Sequence, residues 1–247
     1  MKKAIIHLLI LCSLLLTGLC VFGQEPGDEK DTEALQNMLG NILSQGNKAN
    51  EASLPMQYEF DYLVTMENWE ENKKKDRMTL MWTGNHSLTG MRNDGNLMVF
   101  DNDQEVIVQY DQKKMEANIL PNVMKGMGEF MQSEVEDELQ ILSVEKTGNK
   151  KTILGYSCEE ILVETEKESS RAWVTYELKT SLQDILDNTM DIKMESFIDE
   201  KYAEEFKNAF ALYVEATNKK NGKKQYTEVK EIDTNYRINN TKYKVQR

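Results

Sequence analysis

The side chains best suited to chemistry are scarce in this chain. Its 247 residues include 2 His and 3 Cys, and beyond Cys20 only His86 and Cys158 remain. Serine and cysteine hydrolases need a histidine base that a carboxylate orients, and no Gly-x-Ser-x-Gly motif supports such a role for His86. His86 lies in the turn-forming run Gly84–Ser87, which predicts a solvated loop residue.

Cys158 and the acidic turns offer little support for a reactive thiol or a metal site. Glu159 and Glu160 follow Cys158 and disfavour its thiolate, so we predict a small buried group, with a reactive or lipid-modified thiol as the alternative. One histidine and one cysteine are too few for a zinc site. The run Asp101–Asp103 resembles the start of a calcium loop, but the later Gly and Glu are missing. We therefore predict no metal and no cofactor.

Carboxylates are the one abundant chemical group. The chain has 42 Asp and Glu against 30 Lys and Arg, which gives a formal net charge of −12. Glycosidases use two carboxylates roughly 5–10 Å apart, but the sequence singles out no such pair. Nucleic acid is not an expected partner, because phosphate binding needs clustered Lys and Arg. We predict a non-enzymatic protein and keep a carboxylate-based hydrolase as the weaker alternative.

The segment Met1–Gly23 has the layout of a secretory signal peptide. Lys2 and Lys3 precede the apolar run Ile5–Leu19, and the compact residues of Val21–Gly23 precede a cleavage position near Gln24. A retained membrane anchor is one alternative, although the apolar run is shorter than the roughly 20 residues of a spanning helix. A lipoprotein signal is the other, although neither Cys12 nor Cys20 follows a small residue. Cleavage would remove two lysines and no acid, so the net charge would change from −12 to −14. We expect an exported protein, in the periplasm or outside the cell.

Short strands dominate the rest of the chain. Residues 24–55 form a polar leader with a short helical pattern, and residues 56–247 are predicted to form a single β-rich domain. Alternation of apolar and polar residues begins at Gln57, and the turn signals Lys73–Asp76, Asn93–Gly95 and Asn221–Gly222 favour hairpins. Strands are predicted over residues 57–66, 77–82, 87–92, 97–100, 104–110, 113–119, 140–146, 152–154, 156–166, 171–178, 209–217 and 225–232, with a polar closing segment over 237–245.

Helical spacing recurs in four segments between or before these strands. They cover residues 34–43, 123–139, 181–189 and 199–208. Connections within the first strand run are too short for crossover helices, which predicts an antiparallel meander. About ten strands are too many for one flat sheet, so the sheet should curl into a partial barrel. The predicted fold class is α+β, a curled antiparallel half-barrel with a few packed helices.

The run Lys151–Cys158, followed by the strand Ala172–Thr175, resembles the signature of the domain of unknown function family 4412 (DUF4412), found in exported proteins of Bacteroidota-type bacteria. Its members carry Thr-Ile-x-Gly-Tyr-x-Cys and then Trp-Val-Thr. The matching residues here are Gly155, Tyr156, Cys158 and Trp173. The resemblance covers about residues 57–245 and implies a lipoprotein-carrier-like half-barrel, with no activity to carry over.

We interpret these four motif residues as structural. Gly155 suits a bend where a side chain would collide, and Tyr156 and Trp173 supply large buried faces with a polar tip.

The leading hypothesis is binding of an apolar or amphipathic ligand, such as a lipid, on the concave face of the curled sheet. It rests on an alternating face of aromatic and apolar side chains in the first two strands. The candidate ligand-binding residues are Tyr58, Phe60, Tyr62, Met78, Leu80 and Trp82. The alternative is that these residues are core and that the protein is a structural or interaction module of the cell envelope, with a protein partner.

Overall fold

The computed structural model describes one sheet of twelve strands. It covers residues 49, 51–93, 95–122, 141–181, 185, 202, 206 and 208–246. The strands are β1 (Gln57–Glu70), β2 (Asp76–Trp82), β3 (Leu88–Asn93), β4 (Asn96–Asp101), β5 (Val106–Asp111), β6 (Glu116–Pro121), β7 (Ile141–Ile153), β8 (Tyr156–Thr165), β9 (Glu168–Thr175), β10 (Phe210–Asn218), β11 (Lys224–Asn239) and β12 (Lys244–Gln246). The predicted signal peptide over 1–23, and most of the predicted leader over 24–55, lie outside the described residues.

The predicted α+β class is wrong, because the described part of the chain is nearly all β and contains no helix of seven residues or more. The strands are longer than the alternation pattern predicts: β1 has 14 residues and β11 has 16. The expected helices over 34–43 and 123–139 lie outside the described residues, as do most of 181–189 and 199–208. Among the described residues, no helix has the length and apolar character needed to cross a membrane.

The predicted antiparallel meander is confirmed. Strands β1 to β6 pair in chain order, and the full order across the sheet is β12-β6-β5-β4-β3-β2-β1-β11-β10-β9-β8-β7. Glycines in the left-handed region close two of the hairpins, Gly95 with a φ of +93° and Gly222 with a φ of +66°. β7 joins the predicted strands over 140–146 and 152–154 into one strand with irregular pairing between Lys146 and Lys150.

Both faces of the β1–β2 pair are buried. Leu63 pairs with Met81 and Val64 pairs with Leu80, and because successive residues of a strand point to opposite faces, the two pairs lie on opposite sides. The first cluster contains Ala49, Ala52, Tyr58, Phe60, Leu63, Met81, Leu97, Val99, Val106, Val108, Tyr110, Ala117, Ile119 and Ile238. The second cluster contains Val64, Met66, Met78, Leu80, Trp82, Met91, Phe100, Ile107, Cys158, Leu178, Ile185, Phe210, Leu212 and Val229.

The C-terminal segment curls the β1–β6 half of the sheet around the first cluster. β11 lies beside β1, and after the 3₁₀ turn Asn240–Lys242 the chain forms β12, which pairs in parallel with β6. The two edges of this half are thereby brought together. Tyr110 lies where they meet, and its hydroxyl donates a 2.7 Å hydrogen bond to Oδ1 of Asn240, which is itself buried. The Asn240 amide in turn donates to the carbonyl oxygen of Pro55.

Substitution of Tyr110 by Phe should lower the free energy of unfolding by about 1–2 kcal/mol, because the buried Asn240 oxygen would lose its donor. Tyr243→Phe is the matched control, since the Tyr243 ring packs edge-on against Tyr110 at 4.8 Å and the loss of its hydroxyl should cost less than about 0.5 kcal/mol. Urea unfolding followed by circular dichroism measures both values. Equal effects of the two substitutions would contradict the role given to the hydrogen bond.

Candidate ligand-binding face

The six side chains predicted to form one ligand-binding face are divided between the two clusters. Tyr58 and Phe60 belong to the first cluster, and Met78, Leu80 and Trp82 belong to the second. Each of these five is at most 4% exposed. Tyr62 is half-buried and packs against the second cluster.

The division arises because the alternation of side chains between the two faces shifts by one residue in both β1 and β11. We call this shift the slip. Phe60 and Leu63 face the same cluster although two residues, Asp61 and Tyr62, separate them. On the partner strand Asn235, between the residues that pair with Phe60 and Tyr62, has a φ of +59°. An Asn tolerates this left-handed backbone, and one extra residue in each strand rotates the following side chains to the other face.

Asp61 is held at this slip by the neighbouring turn. Its carboxylate accepts a 2.6 Å hydrogen bond from the backbone N–H of Gly84, in the connection between β2 and β3. The predicted single face is therefore interrupted where the strand pair changes its side-chain orientation.

A stack of three aromatic rings lies in the second cluster. The Trp82 ring lies 5.3 Å from that of Tyr62 and 5.6 Å from that of Phe210, and both pairs are stacked. β2 and β10 are three strands apart in the sheet, which would separate them by about 14 Å if the sheet were flat. The short ring distance shows that the sheet is curled around the second cluster as well. Sequence reasoning missed Phe210, because no local pattern links β10 to β2.

Trp82 has a buried hydrogen-bond donor with no acceptor among the described residues. Its side chain is fully buried, and its indole Nε1 makes no hydrogen bond there. A buried donor that makes no hydrogen bond costs about 1–3 kcal/mol of stability. The unpaired indole N–H therefore calls for an explanation. The surrounding side chains are apolar and include three methionines, Met66, Met78 and Met91.

The buried tyrosine hydroxyls of the first cluster both have partners, in contrast. The Tyr58 hydroxyl donates a 3.0 Å hydrogen bond to Oδ2 of the buried Asp101, which also accepts from the backbone and side-chain amides of Gln104. Burial beside this carboxylate raises the pKa of Tyr58 far above its usual value. The Asp101–Asp103 run is thus part of a hairpin connection that is hydrogen-bonded to the core. In the described residues no group of three metal-ligating side chains occurs.

The motif residues lie together on β7, β8 and β9. Leu154 and Gly155 both have positive φ, +53° and +88°, and form the two-residue β7–β8 turn. Nothing lies within 4 Å of a Cβ added at Gly155, so the expectation of a steric collision there is wrong and the backbone conformation favours glycine. Cys158 is fully buried in the second cluster, and Tyr156 and Trp173 pack against it.

A cation and a buried carboxylate accompany this motif. Lys151 Nζ lies 4.0 Å from the centre of the Trp173 ring and 5.2 Å from that of Tyr213, a cation–π geometry. Glu160 accepts hydrogen bonds from Asn149 and Thr147, which hold the pKa of its carboxyl below its usual value. These contacts stabilise the arrangement of side chains on strands β7 to β9.

His86 is not the solvated loop residue that the sequence predicts. It is half-buried, and its ring Nε2 lies 3.0 Å from the hydroxyl of the buried Thr180. The Asn102 amide donates to the His86 carbonyl oxygen. His86 therefore links the β2–β3 connection to the segment that follows β9.

The Cys158 thiol should resist alkylation in the folded protein. Burial raises the pKa of this thiol, and no part of its side chain is exposed. We expect iodoacetamide to label it at least tenfold more slowly in the folded than in the urea-unfolded chain, measured by mass spectrometry. The matched control is Ser157→Cys in a Cys158→Ser background, because position 157 is exposed and should be labelled in both states. Rapid labelling of native Cys158 would show an accessible thiol.

Several solved structures are similar to this chain. PNGF-II in its C2 crystal form shares 11% identity at a TM-score of 0.35, over 75% of this chain and 30% of that chain. A putative outer membrane lipoprotein-sorting protein domain from Vibrio parahaemolyticus shares 13% identity at a TM-score of 0.27, over 82% and 91%. A LolA superfamily protein from Nitrosomonas europaea shares 9% identity at a TM-score of 0.24, over 78% and 93%. This chain spans about a third of the length of PNGF-II.

The family comparison agrees with the motif. No curated protein matches the chain. The profile of the domain of unknown function DUF4412 matches residues 51–244, a range that includes Gly155, Tyr156, Cys158 and Trp173. This match extends from before β1 to the start of β12 and so covers most of the sequence. The chain belongs to the DUF4412 family, as its motif predicts.

Proposed function

We propose that this protein is an exported, non-enzymatic binder of an apolar or amphipathic ligand, held against the second cluster. The observation that carries the proposal is the buried Trp82 indole N–H without an acceptor among the described residues. A ligand oxygen, from a carboxylate, ester or phosphate group, would supply that acceptor. The apolar part of the same ligand would lie against the surrounding rings and methionines.

The composition of the second cluster suits a ligand of variable shape. Met66, Met78 and Met91 are buried there, and the half-buried Met98 packs against them. Methionine side chains are flexible and polarizable, and surfaces rich in them adapt to different apolar partners. The stacked rings of Tyr62 and Phe210 on either side of Trp82 add flat apolar area.

The contrast between the clusters supports the second cluster as the side of the sheet that binds the ligand. In the first cluster the buried hydroxyls of Tyr58 and Tyr110 each have a partner in the chain. In the second cluster the Trp82 donor has none among the described residues. The first cluster is therefore the structural core of the β1–β6 half. Of the six predicted ligand residues, we propose Tyr62, Met78, Leu80 and Trp82 for binding.

Export rests on the pattern of the segment Met1–Gly23. An exported protein would lie in the periplasm or outside the cell, where lipids and other amphiphiles of the envelope are available. The single cysteine beyond that pattern, Cys158, fits an exported protein that is stabilised by its core without disulfides.

The ligand is tested by extracting the purified protein with organic solvent and analysing the extract by mass spectrometry, together with titration of a fluorescent fatty acid. We expect a bound amphiphile, and Trp82→Phe should weaken fatty-acid binding about tenfold because the ring is kept and the donor is lost. Tyr243→Phe, which also keeps a ring and loses a donor but packs against the first cluster, is the control and should leave the affinity unchanged. No extracted amphiphile and no fatty-acid binding would overturn the proposal.

A structural or interaction module of the envelope is the second candidate, and one observation favours it. The side chains of Met115, Leu120 and Val245 are 39%, 43% and 38% exposed along the β6–β12 edge of the sheet. Exposed apolar side chains at a sheet edge are typical of a protein contact. Failure of the ligand experiment would leave this candidate as the preferred function.

A further inference from the structure

Three turns meet at one end of the sheet and form a continuous surface. They connect β1 to β2 (residues 71–75), β8 to β9 (166–167) and β10 to β11 (219–223). Backbone hydrogen bonds join them: Glu71 donates to the Lys224 carbonyl oxygen at 3.0 Å, and Lys219 donates to that of Lys167 at 2.9 Å. We call the surface formed by these three turns the basic tip.

The basic tip has a charge opposite to that of the whole protein. It contains seven lysines and two glutamates, which gives a formal charge of +5 in a chain of net charge −12. The remainder of the chain therefore carries a formal −17. A charge separation of this size orients a protein in an electrostatic field, because one end is attracted to an anionic surface and the rest is repelled.

The lysines of the basic tip are only partly neutralised. Lys73 pairs with Glu70, Lys75 with Glu67 and Lys219 with Glu164, all on adjoining strands. Three other lysines are exposed and form no ion pair within the part of the chain that the structure describes: Lys74, Lys220 and Lys223. These three are placed for contact with an external anion.

Two half-buried aromatic rings lie directly behind the basic tip. The rings of Trp69 and Tyr226 are stacked with centroids 5.2 Å apart, and Lys75 Nζ lies 4.1 Å from the Trp69 ring centre. Trp69 lies just before the first of the three turns, and Tyr226 lies just after the last. Tryptophan and tyrosine beside lysine are the side chains enriched at the boundary between water and a bilayer.

We propose that the basic tip docks onto the surface of an anionic lipid bilayer. The exposed lysines contact the lipid phosphates, and the Trp69–Tyr226 pair lies at the level of the headgroups. The acidic remainder of the chain is repelled and points away from the lipid. The three turns span six adjacent strands, β2-β1-β11-β10-β9-β8, so the contact is an extended row suited to a surface.

Sedimentation with vesicles of defined composition tests this proposal on the full chain. We expect binding to vesicles of phosphatidylcholine and phosphatidylglycerol mixed seven to three, none to pure phosphatidylcholine, and release as NaCl rises from about 50 to about 500 mM. The triple variant Lys74→Glu/Lys220→Glu/Lys223→Glu should lower the partition coefficient at least tenfold. Each lysine near an anionic surface contributes roughly 1 kcal/mol to binding, which corresponds to about a fivefold change in the partition coefficient. Its conservative counterpart with three arginines should bind as the unmodified protein does.

The matched control makes the same change in charge at the far edge of the sheet. Lys113→Glu/Lys242→Glu/Lys244→Glu alters three exposed lysines near β6 and β12 and should leave binding within twofold of the unmodified protein. An equal loss of vesicle binding in the two triple variants would show that binding depends only on the net charge of the protein, and this would overturn the proposal. Binding to soluble dextran sulfate, with the same dependence on Lys74, Lys220 and Lys223 and without binding to vesicles, would assign the tip to an anionic polymer instead.

Fluorescence gives a second readout that does not depend on charge. In a Trp82→Phe background, brominated phosphatidylglycerol in the vesicles should quench the tryptophan emission, and addition of Trp69→Phe should remove most of that quenching. Persistence of the quenching in this variant would place the contact elsewhere. Because these measurements use only the tip, they can fail while the fatty-acid titration at Trp82 succeeds, so the two proposals are separately testable.

Discussion

The β1–β2 pair buries both of its faces, and the rest of the structure follows from this constraint. A sheet with one buried face needs only one covering layer, whereas here both sides of the pair are covered. Among the described residues the cover comes from the strands, with Ala49 and Ala52 on one side and Leu178 and Ile185 on the other. The slip at Asp61 and Asn235 makes this possible, because it lets the β1–β6 half curl towards one side. The β8–β11 half then curls so that Phe210 reaches Trp82.

The two sides differ in how the polar atoms of their large buried aromatic side chains are paired. The hydrogen bonds of Tyr58, Asp101, Tyr110 and Asn240 fix the geometry of the first cluster and join the sheet edges. The second cluster relies on stacked rings, methionines and the buried Cys158, which tolerate rearrangement better than hydrogen bonds with fixed directions. A ligand-binding function is easier to combine with the second kind of packing than with the first.

Much of the strand order could be predicted from the sequence, because alternation and turn residues are local signals. Asn93–Gly95 and Asn221–Gly222 mark hairpins by the backbone conformations they favour, and the structure has hairpins at both. The slip at Asp61 could not be predicted, since Tyr58, Phe60 and Tyr62 alternate without a break in the sequence. The parallel β12–β6 pair and the Phe210 contact join distant segments, for which periodicity carries no signal.

The pairing of β1 with β11 has a consequence for the order of events in folding. Gln57 pairs with Asn239 and Glu70 with Gln225, so the centre of the sheet joins segments more than 150 positions apart. Contacts this distant along the chain make folding slow, since loop closure must precede the gain from pairing. The sheet cannot be completed until β11 has been synthesised. Such a delay agrees with the proposed export of the chain before it folds.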